Sequence, residues 1–158
     1  MSRVLWLFSA VVLCACMPGF ARADALTRDQ AISVLIAQVI NPSPNKDTLM
    51  AFGPQNMLQP GTVVEPSMLN TPPYPGSSRT IQTPTWFFWI NDEPEYRFVH
   101  ACRFIYIDAT RANPIVGDGI IVETQGWWPK INGVEIYEGG PYVSPDLVYG
   151  NPPSPPNR

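Results

Sequence analysis

Nine prolines fall between positions 41 and 84, at 42, 44, 54, 60, 66, 72, 73, 75 and 84. Proline has no N–H to donate and fixes its own φ, so neither a helix nor a central strand runs far through such a stretch. Yet Met50, Phe52, Met57, Leu58, Val63, Val64, Met68, Leu69 and Tyr74 are scattered through the same segment. A disordered linker carries fewer apolar residues than this. The expectation is a long, partly ordered loop that lays single apolar side chains on a domain, with one short helix near Thr48–Phe52. Loops of this length are uncommon in compact domains and are often functional.

Regular elements must then lie on either side of the loop. "LTRDQAISVLIAQVI" (Leu26–Ile40) opens with Thr27 and, three residues later, Gln30, the capping-box pair in which each side chain satisfies one free backbone N–H. Ala31, Val34, Leu35, Gln38 and Val39 share one helical face, and Ile32 and Ile36 widen it. Pro42 and Pro44 end the helix.

After the loop the pattern is β. "TWFFWI" (Thr85–Ile90) is dense in aromatic residues, "NDEPE" (Asn91–Glu95) reads as a turn, and Tyr96–Ala109 reads as a long strand. Ile120–Trp128 forms a third strand, and Asn132-Gly133 suits a type I′ hairpin turn. The predicted fold is α+β, one N-terminal amphipathic helix packed on a three- to four-stranded antiparallel sheet. Residues 24–150 form a single domain with the 41–84 insertion, and 151–158 form a proline-rich, disordered tail.

The N-terminus adds an address. Arg3, an apolar run from Val4 to Ala15, and small residues at Ala21 and Ala23 have the order of a secretory signal peptide. The run is shorter than the roughly 20 residues that span a bilayer. Cleavage after Ala23 predicts a periplasmic or extracellular protein. "LCAC" (Leu13–Cys16) offers the alternative of lipidation at Cys16, which would anchor the chain in the cell envelope. Loss of residues 1–23 removes Arg3 and Arg22, leaving eight cations against thirteen anions, a net charge of −5. Without a basic cluster, nucleic acid is not an expected partner, and membrane contact is expected only through a lipid on Cys16.

The mature chain keeps one cysteine, Cys102, and one histidine, His100, so no intramolecular disulfide forms. On a strand the two share a face, but residues two apart sit roughly 6.5–7 Å apart, too far for a thiolate–imidazole hydrogen bond. Packing is the better reading of both. One His and one Cys cannot make a zinc site. Asp92, Glu93 and Glu95 could be offered to calcium but lack the EF-hand spacing, and a solvated acidic turn fits them better. Neither a phosphate loop nor a nucleophile elbow is present. The expectation is a protein that is not an enzyme, with no catalytic residues, no metal and no cofactor. A hydrolase using His100 or an acidic pair ranks last.

The remaining candidates are aromatic. Trp86, Trp89, Trp127 and Trp128 lie on predicted strands, and neighbours such as Trp127 and Trp128 point to opposite faces. With Tyr137 they form the candidate binding surface, for sugar stacking or for gripping an extended peptide. Against this stands coverage of the rings by the proline-rich loop.

"TRDQAISVLIAQVI", then "TWFFWI" and "RFIYIDATRANPI", resembles the PepSY type of module found in bacterial secreted-protease propeptides and small periplasmic proteins. Tyr106, Asp108 and Thr110 match its Y-V-D-x-x-T-G-x pattern in part, but no glycine follows the threonine. The resemblance spans residues 26–40 and 85–116. It implies an α+β module outside the cytoplasm that binds or restrains a protein partner such as a secreted protease. The alternative reading is an envelope-associated carbohydrate- or peptide-binding protein.

Overall fold

The computed structural model describes residues 25–69, 72–74, 76–96, 98–137 and 144–150. The signal peptide at 1–23, the Cys16 alternative and the 151–158 tail lie outside the described residues.

Helix α1 (Arg28–Leu35) begins as expected. The Thr27 hydroxyl accepts from the Gln30 N–H at 3.3 Å, and the Gln30 side chain accepts from the Thr27 N–H at 2.8 Å. Its continuation, Ile36–Ile40, widens to π-helical spacing, closed by Asn41 N–H donating to Ile36 O at 2.9 Å. The wider turn brings consecutive Val39 and Ile40 onto the buried side with Ala31 and Leu35, while Gln38 stays exposed.

Ten strands follow: β1 (Met50–Phe52), β2 (Val63–Pro66), β3 (Arg79–Thr80), β4 (Thr85–Asn91), β5 (Cys102–Asp108), β6 (Ile115–Val116), β7 (Gly119–Gln125), β8 (Pro129–Ile131), β9 (Val134–Glu135) and β10 (Leu147–Tyr149). They form a six-stranded sheet in the order β10-β1-β4-β5-β7-β6 and a four-stranded sheet in the order β3-β2-β8-β9. The single three- to four-stranded sheet expected from the sequence is therefore wrong. The fold is mostly β, with one short helix and two sheets.

The reason lies in the proline-rich segment, which supplies β1, β2 and β3. Each strand is short enough to fit between prolines, and each finds a distant partner. β1 pairs with β4 and with β10, and β2 pairs with β8 through Val64↔Ile131 and Pro66↔Pro129. Proline sits at the end of β2 and at the start of β8, where a missing N–H does least harm. The expected helix near Thr48–Phe52 is strand β1 instead, fully buried.

The central strand β4 is buried at all seven positions because both faces of the large sheet are covered. Trp86, Phe88 and Ile90 face the helix, together with Ile105 and Ile107 of β5 and Ile120 of β7. Phe87 and Trp89 face the small sheet, together with Cys102, Phe104 and Tyr106. Alternation along β4 thus serves two apolar layers rather than one core and one wet face. The β8–β9 hairpin turns at Asn132 (φ 50°) and Gly133 (φ 79°), the positive φ at both positions that a type I′ turn requires. Strand β5 is shorter than expected: residues before Cys102 belong to the connection from β4, and Phe98 there is 77% exposed.

Candidate functional site

Cys102 and His100 occupy the end of β5 and the connection before it. The Cys102 side chain is fully buried, and its Sγ–H donates to Trp127 O at 3.2 Å. Burial pushes the thiol up to about 12, with the Asp92 carboxylate adding to the effect. The His100 Nδ1 is held against the Phe98 carbonyl oxygen, and its Nε2 is buried without a partner. Among the described residues no hydrogen bond joins the two side chains. A thiol in this setting is a small hydrophobe rather than a nucleophile. Cys102 should be inert to an aromatic disulfide reagent at pH 8 in the native protein and react stoichiometrically in urea. Rapid reaction of the folded protein would contradict the burial. Because burial pushes the folded thiol from its usual 9 up to about 12, stability should also fall as pH rises from 9 towards 12. The slope from this group approaches roughly 1.4 kcal/mol per pH unit.

The acidic turn is used internally. Both Asp92 oxygens accept from Arg103, at 2.6 and 2.9 Å, and the Glu93 carboxylate accepts from the Ala101 N–H at 3.0 Å. Among the described residues no group of three or more His, Cys, Asp or Glu is placed to hold a metal.

The five aromatic candidates do not form one surface. Trp86 lies on the helix face, its indole N–H donating to Leu26 O at 2.7 Å. Trp89 and Tyr137 stack in the other apolar layer, with ring centroids 5.4 Å apart. The Tyr137 phenol is raised by burial and by the nearby Asp146. Trp127 and Trp128 are half-buried, edge to face at 4.9 Å, and Trp128 Nε1 donates to Glu135 at 3.2 Å. None of the five is among the exposed large side chains.

Exposed large apolar residues lie elsewhere: Met68, Leu69, Tyr96, Phe98 and Val134 in other parts of the chain, and four more on β6 and β7. Strand β7 pairs along its length with β5 on one side, but on the other β6 reaches only Gly119 and Ile120. From Ile121 to Gln125 the outer edge has no strand partner among the described residues. Ile115, Val116, Ile121 and Val122, all exposed, cluster at this edge. Gly119, with φ 87°, shapes the turn that leads into it. A Cβ there would fall 2.9 Å from Pro114 Cβ and 3.2 Å from Arg111 Cγ.

Beside the edge is a cleft of about 210 Å³, lined among others by Arg79, Thr83, Tyr106, Asp108, Arg111 and Ile121. Arg79 donates from Nε and Nη2 to Glu123, at 2.9 and 2.5 Å, and its guanidinium lies 5.2 Å over the Tyr106 ring. The Arg111 side chain is 57% exposed and reaches Asp118 at 3.4 Å and Asp108 at 4.0 Å. Asp108 is held by Thr110, whose N–H and hydroxyl donate to Oδ1 at 2.9 and 2.7 Å. The Tyr106 hydroxyl is buried without a hydrogen-bond partner. Burial first, and the Glu123 charge second, keep it protonated well above the usual phenol range. In the sequence Tyr106 and Asp108 stand out as resemblance positions, whereas Arg79 and Arg111, which come from distant segments, carry no signal of a shared site.

No family model matches the chain, and no curated protein or solved structure does either.

Proposed function

We propose that the protein is an exported, non-enzymatic interaction module that takes up an extended segment of a partner protein on the outer edge of β7. One observation carries this reading: among the described residues the outer edge of β7 over Ile121–Gln125 has no strand partner, and it carries the exposed Ile121 and Val122. Soluble proteins blunt such edges with lysine, proline or bulges, because open N–H and C=O groups recruit further strands. Here the edge carries Ile121 and Val122 instead, and the one charge on it, Glu123, is neutralised by Arg79. Main-chain pairing would supply affinity, and pockets for alternate side chains would supply selectivity.

The chain carries more anions than cations, net −3 as a whole and −5 after cleavage at Ala23, so the favoured segment is basic, and β-branched residues suit it to an added strand. Export rests on the N-terminal pattern, and a secreted protease is the kind of partner the PepSY resemblance implies. A direct test uses blocked heptapeptides such as acetyl-Lys-Val-Thr-Leu-Thr-Val-Arg-amide, followed by amide chemical shifts. Saturable shifts confined to Ile121–Gln125 and its neighbours are expected. Val122→Lys, a charge placed on the edge, should weaken binding at least about tenfold. Shifts elsewhere, or none, would overturn the assignment.

A further inference from the structure

We infer that Glu123 keeps the open edge of β7 from pairing with a second copy of this chain, so that the edge stays free for a partner's strand. The inference rests on the strand-addition reading and adds what that edge refuses. A strand open on one side is a template for its own copy, because a two-fold axis perpendicular to the sheet produces an antiparallel pair. Side chains alternate along a strand, so the axis must pass through a residue for opposite residues to share a face.

The ends of the edge decide which residue that is. Strand β6 occupies the lane beside Gly119 and Ile120, β7 ends at Gln125, and the main chain bends at Gly126 and Trp127. An axis through Val122 would set Thr124 of the copy against Ile120, where β6 already lies. An axis through Thr124 would set Gly126 of the copy, beyond the end of its strand, against Val122. Only an axis through Glu123 pairs the whole run from Ile121 to Gln125, with Ile121 against Gln125 and Val122 against Thr124. Glu123 then stands directly opposite itself, with Cβ atoms roughly 5 Å apart.

Arg79 neutralises Glu123 at long range, but the ion pair is a dipole with a direction. Glu123 belongs to the outer strand β7, whereas the Arg79 guanidinium lies over the ring of Tyr106 on the inner strand β5. The carboxylate is thus the end nearer the open edge. Two copies paired here would bring their negative ends together and leave both guanidinium groups outside. Like charges directly opposite destabilise an antiparallel pair, and the net negative charge of the chain adds to the repulsion. The edge is thereby open to a foreign strand and closed to its own, which is specificity by rejection.

Sedimentation equilibrium tests this at protein concentrations up to millimolar. The native chain should stay monomeric. Arg79→Gln combined with Glu123→Gln removes both charges and should dimerise at least about tenfold more tightly than the native chain. Adding Val122→Lys to that variant should restore the monomer, which locates the contact at the edge. Arg79→Glu combined with Glu123→Lys keeps an ion pair within each copy but reverses it. Alone it should be monomeric, and mixed with the native chain it should form an equimolar heterodimer. Amide chemical shifts establish first that each variant keeps the native fold. If neither does, the native chain decides: a dimer that appears as salt rises from about 0.1 to about 1 M supports the repulsion, and a monomer at both overturns it. A native dimer that Val122→Lys dissociates would overturn the inference. So would a folded neutral variant that stays monomeric while the native chain binds the heptapeptide, a result that leaves the edge reading standing. Monomers throughout with no peptide bound would overturn both.

Discussion

Arg103→Ala should cost about 3–5 kcal/mol of unfolding free energy, because it strands a carboxylate in a nearly closed site. Arg103 and Asp92 retain only 17% and 12% of their side-chain exposure, and two parallel N–H···O bonds of 2.9 and 2.6 Å join them. The third arm of the guanidinium donates to the Ser43 hydroxyl at 3.0 Å, and Asn45 donates to Asp92 from the same loop. One ion pair thus ties the chain leaving the helix to the β4–β5 connection. Removing the arginine leaves the carboxylate with a single amide donor. Asp92→Asn should cost less, since it leaves a neutral group that still accepts hydrogen bonds. Urea unfolding of both variants measures the difference. A loss below about 1 kcal/mol for Arg103→Ala would place this pair with ordinary surface ion pairs.

That pair shows why only part of the fold is legible in the sequence. Asp92 reads as one of three acids in a turn, and Arg103 as a polar residue midway along a long strand. They meet because Asn91 pairs with Cys102, so the hairpin connection runs from Asp92 to Ala101 rather than closing at Glu95. Periodicity finds strands but says little about where their register begins. By contrast, the helix start and the Asn132-Gly133 turn depend on two neighbouring residues each, and both form as read. The failures are non-local. Strands of two to four residues such as β1, β2 and β3 carry too short a pattern to declare themselves. Each exists because a partner far along the chain completes it. Prolines mark where these strands stop, not whether they form.

The same holds for the candidate site. The aromatic residues that suggested a surface are buried or half-buried, because the central sheet carries an apolar layer on each face. The residues that do line a cleft are ordinary ones. Arg79 opens a two-residue strand, Tyr106 sits in an alternating run, and Arg111 follows a tight turn. Nothing in their spacing signals a shared site. The sheet order, which places β5 beside β7, brings Tyr106 and Ile121 together.

Phe88→Ala should be as costly as the loss of Arg103, about 3–5 kcal/mol. Phe88 is fully buried at the centre of β4, within the apolar layer beneath α1, so its truncation leaves a cavity that the surrounding sheet cannot close. The chain has no disulfide among its described residues to hold the unfolded state compact. Against a typical total of about 5–15 kcal/mol, such a loss would leave a measurable fraction unfolded at room temperature. A second substitution tests the cause. Gly53 follows β1, and a Cβ there would fall 2.6 Å from Cε1 of Phe88 and 3.4 Å from the Phe87 carbonyl oxygen. In the native protein Gly53→Ala should therefore destabilise, by about 1–3 kcal/mol for overpacking. In the Phe88→Ala background the same methyl group enters vacated space, and its effect should become neutral or stabilising. The double-mutant cycle would then show a coupling of about 1 kcal/mol or more. Additive effects would mean that Gly53 is required for the backbone alone, and that the ring does not fill the space above it.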